Sequence, residues 1–108
     1  MKFSVVAALL EACVLGVISQ QETYGYDLTQ KIQKAGNVSE STLYPVLRRL
    51  LGDGFLESYD LPYDGRNRRY YKITESGRAA LGEYLEDWQV FKASVENLLM
   101  GEYENGQE

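Results

Sequence analysis

Two short segments of the chain carry hydroxyl and cationic side chains close together. Residues 41–49 read Ser-Thr-Leu-Tyr-Pro-Val-Leu-Arg-Arg, and residues 65–73 read Gly-Arg-Asn-Arg-Arg-Tyr-Tyr-Lys-Ile. Hydroxyl groups can contact bases or phosphates, and a guanidinium group can form paired hydrogen bonds with guanine or neutralise a phosphate. The chemistry of both segments therefore favours contact with a DNA duplex.

The first segment has the periodicity of a helix with one apolar side. Leu43, Leu47 and Leu50 recur at intervals of four and three residues, which predicts a buried face. A serine at position 39 or 41 can cap the helix, and we expect it to end near residue 53. The contacts predicted on its opposite side are Ser41, Thr42, Tyr44, Pro45, Arg48 and Arg49. The alternative is a solvated basic face with a harmless kink at the proline.

The second segment predicts one strand of a β-hairpin with a basic tip. We expect strands at residues 55–60 and 68–73, joined by a loop at 61–67 that contains a turn signal, Asp-Gly. Arginine at such a tip can enter a minor groove or hold phosphates, which predicts contacts from Arg66, Arg68 and Arg69. The alternative is an edge hairpin that charge protects from aggregation.

The rest of the chain must position these two segments. A helix from about Phe3 to Ser19 is apolar over most of its circumference, and a second helix capped by Thr23 follows it. Three helices and then a hairpin predict a winged helix-turn-helix, which is mainly α with a small antiparallel β wing. We assign this domain to residues 1–78, and a C-terminal dimerisation helix with a frayed acidic tail to residues 79–108.

The last helix, predicted from about Glu75 to Gly101, carries an apolar seam at intervals of three and four residues. At 1.5 Å per residue it is about 40 Å long, which is more than a core of this size can cover. We therefore expect a homodimer whose interface contains Leu81, Tyr84, Leu85, Trp88, Phe91, Val95 and Leu98. The alternative is that the seam folds back on its own domain.

The aromatic part of this seam has a second interpretation. Trp88, with Tyr84 and Phe91 one turn away on either side, could line a flat pocket for an aromatic ligand. Ordinary packing within the dimer interface explains the same residues. The sequence leaves both interpretations open.

The net charge of −5 does not oppose binding to DNA, because the basic side chains are concentrated in one region. Residues 31–78 carry nine basic and six acidic side chains, whereas residues 79–108 carry seven acidic side chains and only Lys92. Screening at physiological salt acts over about 8 Å, so the acidic end need not prevent binding by the basic segments.

The composition also excludes or disfavours several functions. The 108 residues include no histidine and one cysteine, Cys13, which excludes Ser-His and Cys-His catalysis and disfavours a zinc site. We expect no enzymatic activity, no cofactor and no bound metal. No run reaches the ~20 apolar residues of a membrane span, and Glu11 interrupts the apolar N-terminal run. We therefore expect a cytoplasmic protein that does not insert into a membrane.

Three motifs make the sequence resemble the PadR family of bacterial transcriptional regulators. They are Tyr-Gly-Tyr-Asp-Leu at residues 24–28, the segment 41–50, and the segment 65–77, and the resemblance covers about residues 9–100. The chain is similar to the compact members that have a single C-terminal helix. The resemblance implies a winged-helix dimer, usually a repressor, that a small molecule releases from a palindromic operator.

The resemblance also implies roles for particular residues. The family's DNA contacts carry over to Ser41, Thr42, Tyr44, Pro45, Arg48, Arg66 and Arg68. Multidrug-binding members have a tryptophan in the last helix, in a pore at the dimer centre, and Trp88 has the matching position. Asn67 stands where many members have proline.

Two other functions compete with DNA-binding regulation. A winged-helix module that binds proteins through its acidic tail and aromatic seam would form a stable hetero-complex without binding DNA. An enzyme has little support, because the sequence shows no paired carboxylates in an evident pocket and no glycine-rich loop for a phosphate.

Overall fold

The computed structural model describes residues 6–101, and the fold is mainly helical. The helix start expected at Phe3 and the acidic tail expected at residues 102–108 lie outside the described residues. In chain order the elements are α1 (Ala7–Gln20), β1 (Thr23–Tyr24), α2 (Gly25–Gln33), α3 (Glu40–Gly52), β2 (Leu56–Tyr63), β3 (Arg66–Ile73) and α4 (Glu75–Met100). The strands form an antiparallel sheet in the order β1-β3-β2, which confirms the predicted winged helix-turn-helix. No helix between residues 6 and 101 is long and apolar enough to cross a membrane.

The hydrophobic core lies between α1, α2, α3 and the inner side of the sheet. Its most deeply buried side chains include Leu15 of α1, Leu28 of α2 and Leu47 of α3, and Tyr71 of β3 closes it from the sheet side. Burying one such leucine stabilises a fold by roughly 1.5–3 kcal/mol. These contacts therefore fix the three helices and the wing relative to one another.

Helix α3 has the apolar face that its periodicity predicts. Leu43, Leu47 and Leu50 are each 1% exposed, and Val46 beside them is also buried. Ser39 caps the helix, because its hydroxyl accepts a hydrogen bond at 3.3 Å from the backbone N–H of Thr42. The burial of this face turns the other side of α3 outward.

The wing is longer and its turn is tighter than the sequence predicts. The loop expected at residues 61–67 is wrong, because β2 and β3 both continue until only Asp64 and Gly65 separate them. These two residues have φ values of 52° and 83°, which suit a two-residue hairpin turn. Pro62 lies in β2, an edge strand, where a residue without an N–H is tolerated.

Strand β1 is not predicted by the sequence. Thr23 pairs with Tyr71 of β3, and Tyr24 pairs with Tyr70. The expected cap at Thr23 is therefore wrong: Tyr24 precedes α2, and the Thr23 hydroxyl instead donates to Asp27 Oδ2 at 2.5 Å. A strand of two residues has no periodicity, so only its partner strand reveals it.

The start of α4 is anchored to the turn that follows α3. Thr74 caps α4 as predicted, accepting a hydrogen bond from the backbone N–H of Gly77 at 3.0 Å. The hydroxyls of Thr74 and Ser76 both donate to the carbonyl oxygen of Gly54, at 2.6 and 2.9 Å. The position of α4 is therefore tied directly to the end of α3.

Beyond this anchor, α4 leaves the core. Ala80, Leu81 and Tyr84 pack against the core, but the helix continues to Met100 with mostly exposed side chains. The domain boundary expected between residues 78 and 79 falls inside this continuous helix, and that division stays a prediction.

Replacing Gly77 with alanine should lower the free energy of unfolding by about 1–3 kcal/mol, because the new methyl group overpacks the core. A β-carbon at Gly77 would lie 2.1 Å from the backbone oxygen of Phe55, so α4 would have to move. Gly82→Ala is the matched control, because its β-carbon would meet no atom within 4 Å. The control should stabilise α4 by roughly 0.5–1 kcal/mol. Urea unfolding at one protein concentration measures both, and equal stability of Gly77→Ala and the wild type would contradict the close approach.

Candidate nucleic-acid interface

The outward side of α3 presents predicted contact residues to solvent. Ser41, Thr42, Tyr44, Pro45 and Arg48 are all exposed. The two hydroxyl groups lie in the first turn, and Arg48 lies about two turns further along the same side. DNA-reading helices contact bases mostly with their N-terminal residues. The hydroxyl groups therefore lie at the N-terminal end of the exposed side of α3, and a cation lies further along it.

The hydroxyl groups at the start of α3 form a cluster. Ser39 Oγ lies 3.0 Å from Ser41 Oγ and 3.1 Å from Thr42 Oγ1. Each hydroxyl is both a donor and an acceptor, so the cluster can adapt its hydrogen bonds to a base edge or a phosphate. Ser39 is not among the predicted contacts, but its place in the cluster adds it to the candidate interface.

Tyr44 lies across the start of α2. Its side chain is 43% exposed, and its hydroxyl oxygen would lie 3.4 Å from a β-carbon built at Gly25. The missing side chain at Gly25 therefore leaves room for the ring at the junction of α2 and α3.

The two adjacent arginines of α3 have different surroundings. Arg48 is exposed and forms no ion pair among residues 6–101. Arg49 Nε instead donates to Glu11 Oε2 of α1 at 2.7 Å. The structure therefore brings Arg48, but not Arg49, to the outward side with its charge unpaired. The sequence does not reveal this difference, because Glu11 lies 38 positions before Arg49.

Glu11 also accepts a hydrogen bond from the hydroxyl of Tyr84 in α4, at 2.5 Å. Burial raises the pKa of Glu11, but the hydrogen bonds from Tyr84 and Arg49 outweigh burial and hold this pKa below its ordinary value of 4.5. Burial and the hydrogen bond to Glu11 raise the pKa of Tyr84 to about 12. At neutral pH, Glu11 is therefore charged and Tyr84 keeps its proton.

Among residues 6–101, no group of three or more His, Cys, Asp or Glu side chains could hold a metal ion.

The wing arginines also differ in their partners. Arg66 begins β3 at the tip, is exposed, and forms no ion pair in the described part of the chain. Arg69 Nε lies 3.6 Å from Asp60 Oδ1 on the neighbouring strand. Both of these side chains are well exposed, so the pair contributes at most about 1 kcal/mol and can open. Arg66 is thus an exposed cation at the tip of the wing without an ion pair among residues 6–101.

Arg68 lies in an aromatic cluster on the outer side of the sheet. Its guanidinium carbon is 3.9 Å from the ring centroid of Tyr24 and 3.5 Å from that of Tyr63. Tyr70 lies behind it, with its ring edge-on to Tyr24 and stacked on Tyr59. A cation–π contact contributes roughly 0.5–1 kcal/mol at an exposed site. These contacts hold Arg68 against the sheet, which the strand pattern alone did not indicate.

An apolar cavity of about 250 Å³ lies between α1 and α4. Its lining includes Ala8, Leu9 and Ala12 of α1 and Tyr84, Trp88 and Phe91 of α4. The rings of Trp88 and Phe91 have centroids 6.4 Å apart, and Asp87 adds one carboxylate to the wall. The structure therefore brings the three predicted ligand-binding residues to one cavity.

The predicted dimer seam of α4 divides into two parts. Leu81 and Tyr84 pack against the core of their own chain. Leu85, Phe91 and Leu98 are 53%, 58% and 67% exposed. The half-buried members are Trp88 and Val95. The part of the seam beyond Tyr84 is therefore the part that is available to a partner.

Comparisons with known proteins agree with this geometry. Residues 14–83 match the Transcriptional regulator PadR-like family. The crystal structure of smu.1704 from Streptococcus mutans UA159 is similar with a TM-score of 0.87 and 36% identity, over 94% of this chain and 96% of that chain. Transcriptional regulator Rv3488 of Mycobacterium tuberculosis is 46% identical over 71 residues, which are 65% of this chain and 66% of that protein. The negative transcriptional regulator PadR of Bacillus subtilis is 26% identical over 98 residues, 85% of this chain and 53% of that protein.

The matched region contains α2, α3 and the whole wing, which are the elements that form the candidate interface. Members of this family are transcriptional regulators and not enzymes. Since the match spans well over half of the sequence, the chain belongs to the PadR-like family of transcriptional regulators.

Proposed function

We propose that this protein binds operator DNA with the outward side of α3 and the tip of the wing. The observation that carries the proposal is the pair of exposed cations Arg48 and Arg66, which form no ion pair within residues 6–101. A duplex carries one negative charge per ~1.7 Å of its axis, so such cations find phosphates readily. Ser41 and Thr42 then face the base edges. Binding to chromosomal DNA sets the site of action in the cytoplasm.

The proposed regulator acts as a homodimer joined through α4. The support is the exposed apolar part of this helix, where Leu85, Phe91 and Leu98 are each more than half exposed. Such a stripe is costly in water and is covered when two copies pack together. A twofold dimer presents two α3 helices, which fits a palindromic operator with half-sites roughly 34 Å apart.

The dimer is proposed to repress transcription and to be released by a small aromatic molecule. A relative from Bacillus subtilis is named a negative transcriptional regulator, which supports repression. The cavity beside Trp88 supports the ligand, and the Asp87 carboxylate in its wall favours a cationic one. At about 250 Å³ the cavity is smaller than the roughly 300–1,000 Å³ of typical ligand sites, so the second copy would complete it.

Replacing Arg48 with alanine should weaken binding to a selected operator duplex by about 1–3 kcal/mol, because a contact to guanine or phosphate is lost. Lys92→Ala is the charge-matched control, because Lys92 is exposed on α4, away from the proposed DNA surface. Fluorescence anisotropy with a labelled duplex measures both affinities. A wild-type protein that retains no duplex from a random library, but captures a protein, would support the interaction-module alternative.

Arg66→Ala and Arg68→Ala should affect DNA binding in different ways. Arg66 is proposed to neutralise a phosphate, so its loss should reduce the slope of log K against log salt by about 1. Arg68 is held between tyrosine rings, so its loss should weaken binding by loosening the wing while the slope stays near that of the wild type. A salt titration of each variant gives the slopes. Equal slope changes for both would show that Arg68 also contacts a phosphate.

Planar aromatic cations should quench the fluorescence of Trp88, which is the sole tryptophan and therefore the sole source of indole emission. The same compounds should weaken operator binding, and Trp88→Leu should make operator binding insensitive to them. Titrating each compound first against the protein alone and then against the protein–duplex complex measures the two effects. Absence of quenching across a broad panel, together with unchanged DNA affinity, would end the ligand proposal.

A further inference from the structure

We propose that Glu11 is a positioning residue that couples the apolar cavity between α1 and α4 to the reading helix α3. This inference deepens the proposed function and rests on it for its biological meaning. The coupling itself is a property of three side chains on three helices. It gives a route by which a ligand in the cavity changes the fit of α3 to DNA.

One carboxylate joins three helices. Glu11 of α1 accepts a hydrogen bond from Tyr84 of α4 at 2.5 Å through one oxygen, and from Arg49 of α3 at 2.7 Å through the other. The Glu11 side chain is 17% exposed, and its bond to Tyr84 is the more shielded of the two, since the Arg49 side chain is 47% exposed. Hydrogen bonds to a charged group are stronger than neutral ones. The carboxylate therefore holds α3 and α4 in a fixed relation.

Tyr84 both lines the cavity and bonds to the Glu11 carboxylate. Its ring lines the cavity together with Trp88, while its hydroxyl donates to Glu11. A ligand that moves the ring by even one rotamer step must lengthen or break the hydrogen bond to Glu11. Occupation of the cavity is thus sensed at the carboxylate without direct contact between the ligand and Glu11.

Arg49 links the carboxylate to α3. Arg49 follows Arg48 directly, and α3 is a rigid element whose apolar face is packed in the core. A change in the Glu11 contact lets α3 shift slightly on its packed face, and Arg48 moves with its helix. Coupling of this kind needs a discrete contact that both sites bias, and the shared carboxylate supplies it.

The presence of a charged residue in α1 also fits this role. Glu11 is flanked by Leu10 and Ala12 in a helix that is otherwise largely apolar, and a carboxylate there is costly unless it is paired. The two bonds keep Glu11 ionised, since its pKa stays below the ordinary value despite burial. The desolvation cost of the Glu11 charge is therefore offset only while Tyr84 and Arg49 both bond to it. Loss of either bond destabilises the carboxylate and weakens the link between α3 and α4.

One test uses amide hydrogen exchange in the protein without ligand or DNA. Tyr84→Phe removes the hydroxyl and keeps the ring in the cavity, so the α3 amides should exchange about fivefold faster while those of α2 stay near wild type. Tyr26→Phe is the control, because Tyr26 is 62% exposed. Exchange in α3 that is unchanged by Tyr84→Phe, or equally faster in every helix, would overturn the proposal.

The reciprocal test starts on α3 and reads the cavity. Arg49→Gln should change acrylamide quenching of Trp88, although Arg49 does not line the cavity, because coupling acts equally in both directions. Arg48→Gln is the adjacent control and should leave the quenching as it is. In a Tyr84→Phe background, the effect of Arg49→Gln should disappear. A persistent effect there, or no effect in the wild-type background, would overturn the route through Glu11.

These two tests separate the coupling from the proposed function, because neither uses DNA. If both tests give the expected result but the protein binds no duplex, the coupling is supported and the DNA-binding proposal is contradicted. A protein that binds its operator but fails either test keeps the DNA-binding proposal and loses the coupling.

Discussion

The burial of one side of α3 is the constraint on which the rest of the structure depends. Leu43, Leu47 and Leu50 fill the core against α1 and α2, and together they account for several kcal/mol of stability. A helix held so firmly along one side has no freedom to rotate about its axis. The positions on the opposite side of the helix must therefore face water, whatever residues stand there. Ser41, Thr42 and Arg48 owe their accessibility to this packing.

The basic side chains near this surface fall into two groups according to their partners. Arg49 and Arg68 are held, one by a carboxylate and the other by two aromatic rings. Arg48 and Arg66 are exposed and form no ion pair in the part of the chain that the structure describes. The same residue type therefore serves to fix the architecture at one position and is left available at the next. Net charge alone, at −5, conceals this arrangement.

Local patterns in the sequence predict the elements whose stability is local. The spacing of leucines predicts the buried side of α3, and Thr74 is correctly predicted to cap α4. The turn at Asp64 and Gly65 is predicted correctly, but the predicted strands on either side are too short. Both strands extend into the predicted loop at residues 61–67, and β2 runs through Pro62, which an edge strand tolerates.

Features that depend on distant partners could not be predicted in this way. Strand β1 exists only because β3 is beside it, and the ion pair of Arg49 joins residues 38 positions apart. The cluster around Arg68 needs the longer β2 to bring Tyr63 to the same side of the sheet. A pattern within one segment carries no information about such encounters. For the same reason, the sequence does not reveal that Arg49 and Arg68 have partners within the fold.

Helix α4 extends far beyond its last core contact, so a small tilt at its start moves its far end through a larger distance. From Tyr84 to Met100 the rise is about 24 Å. The start of α4 is held where Gly77 packs against the backbone of Phe55. A tilt of about 5° at Gly77 would move Met100 by roughly 3 Å, because the rise from Gly77 to Met100 is about 35 Å. Small changes in packing near Gly77 are thereby magnified at the far end. In a dimer joined there, the distance between the two α3 helices would depend on this tilt angle, without any inserted or deleted residue.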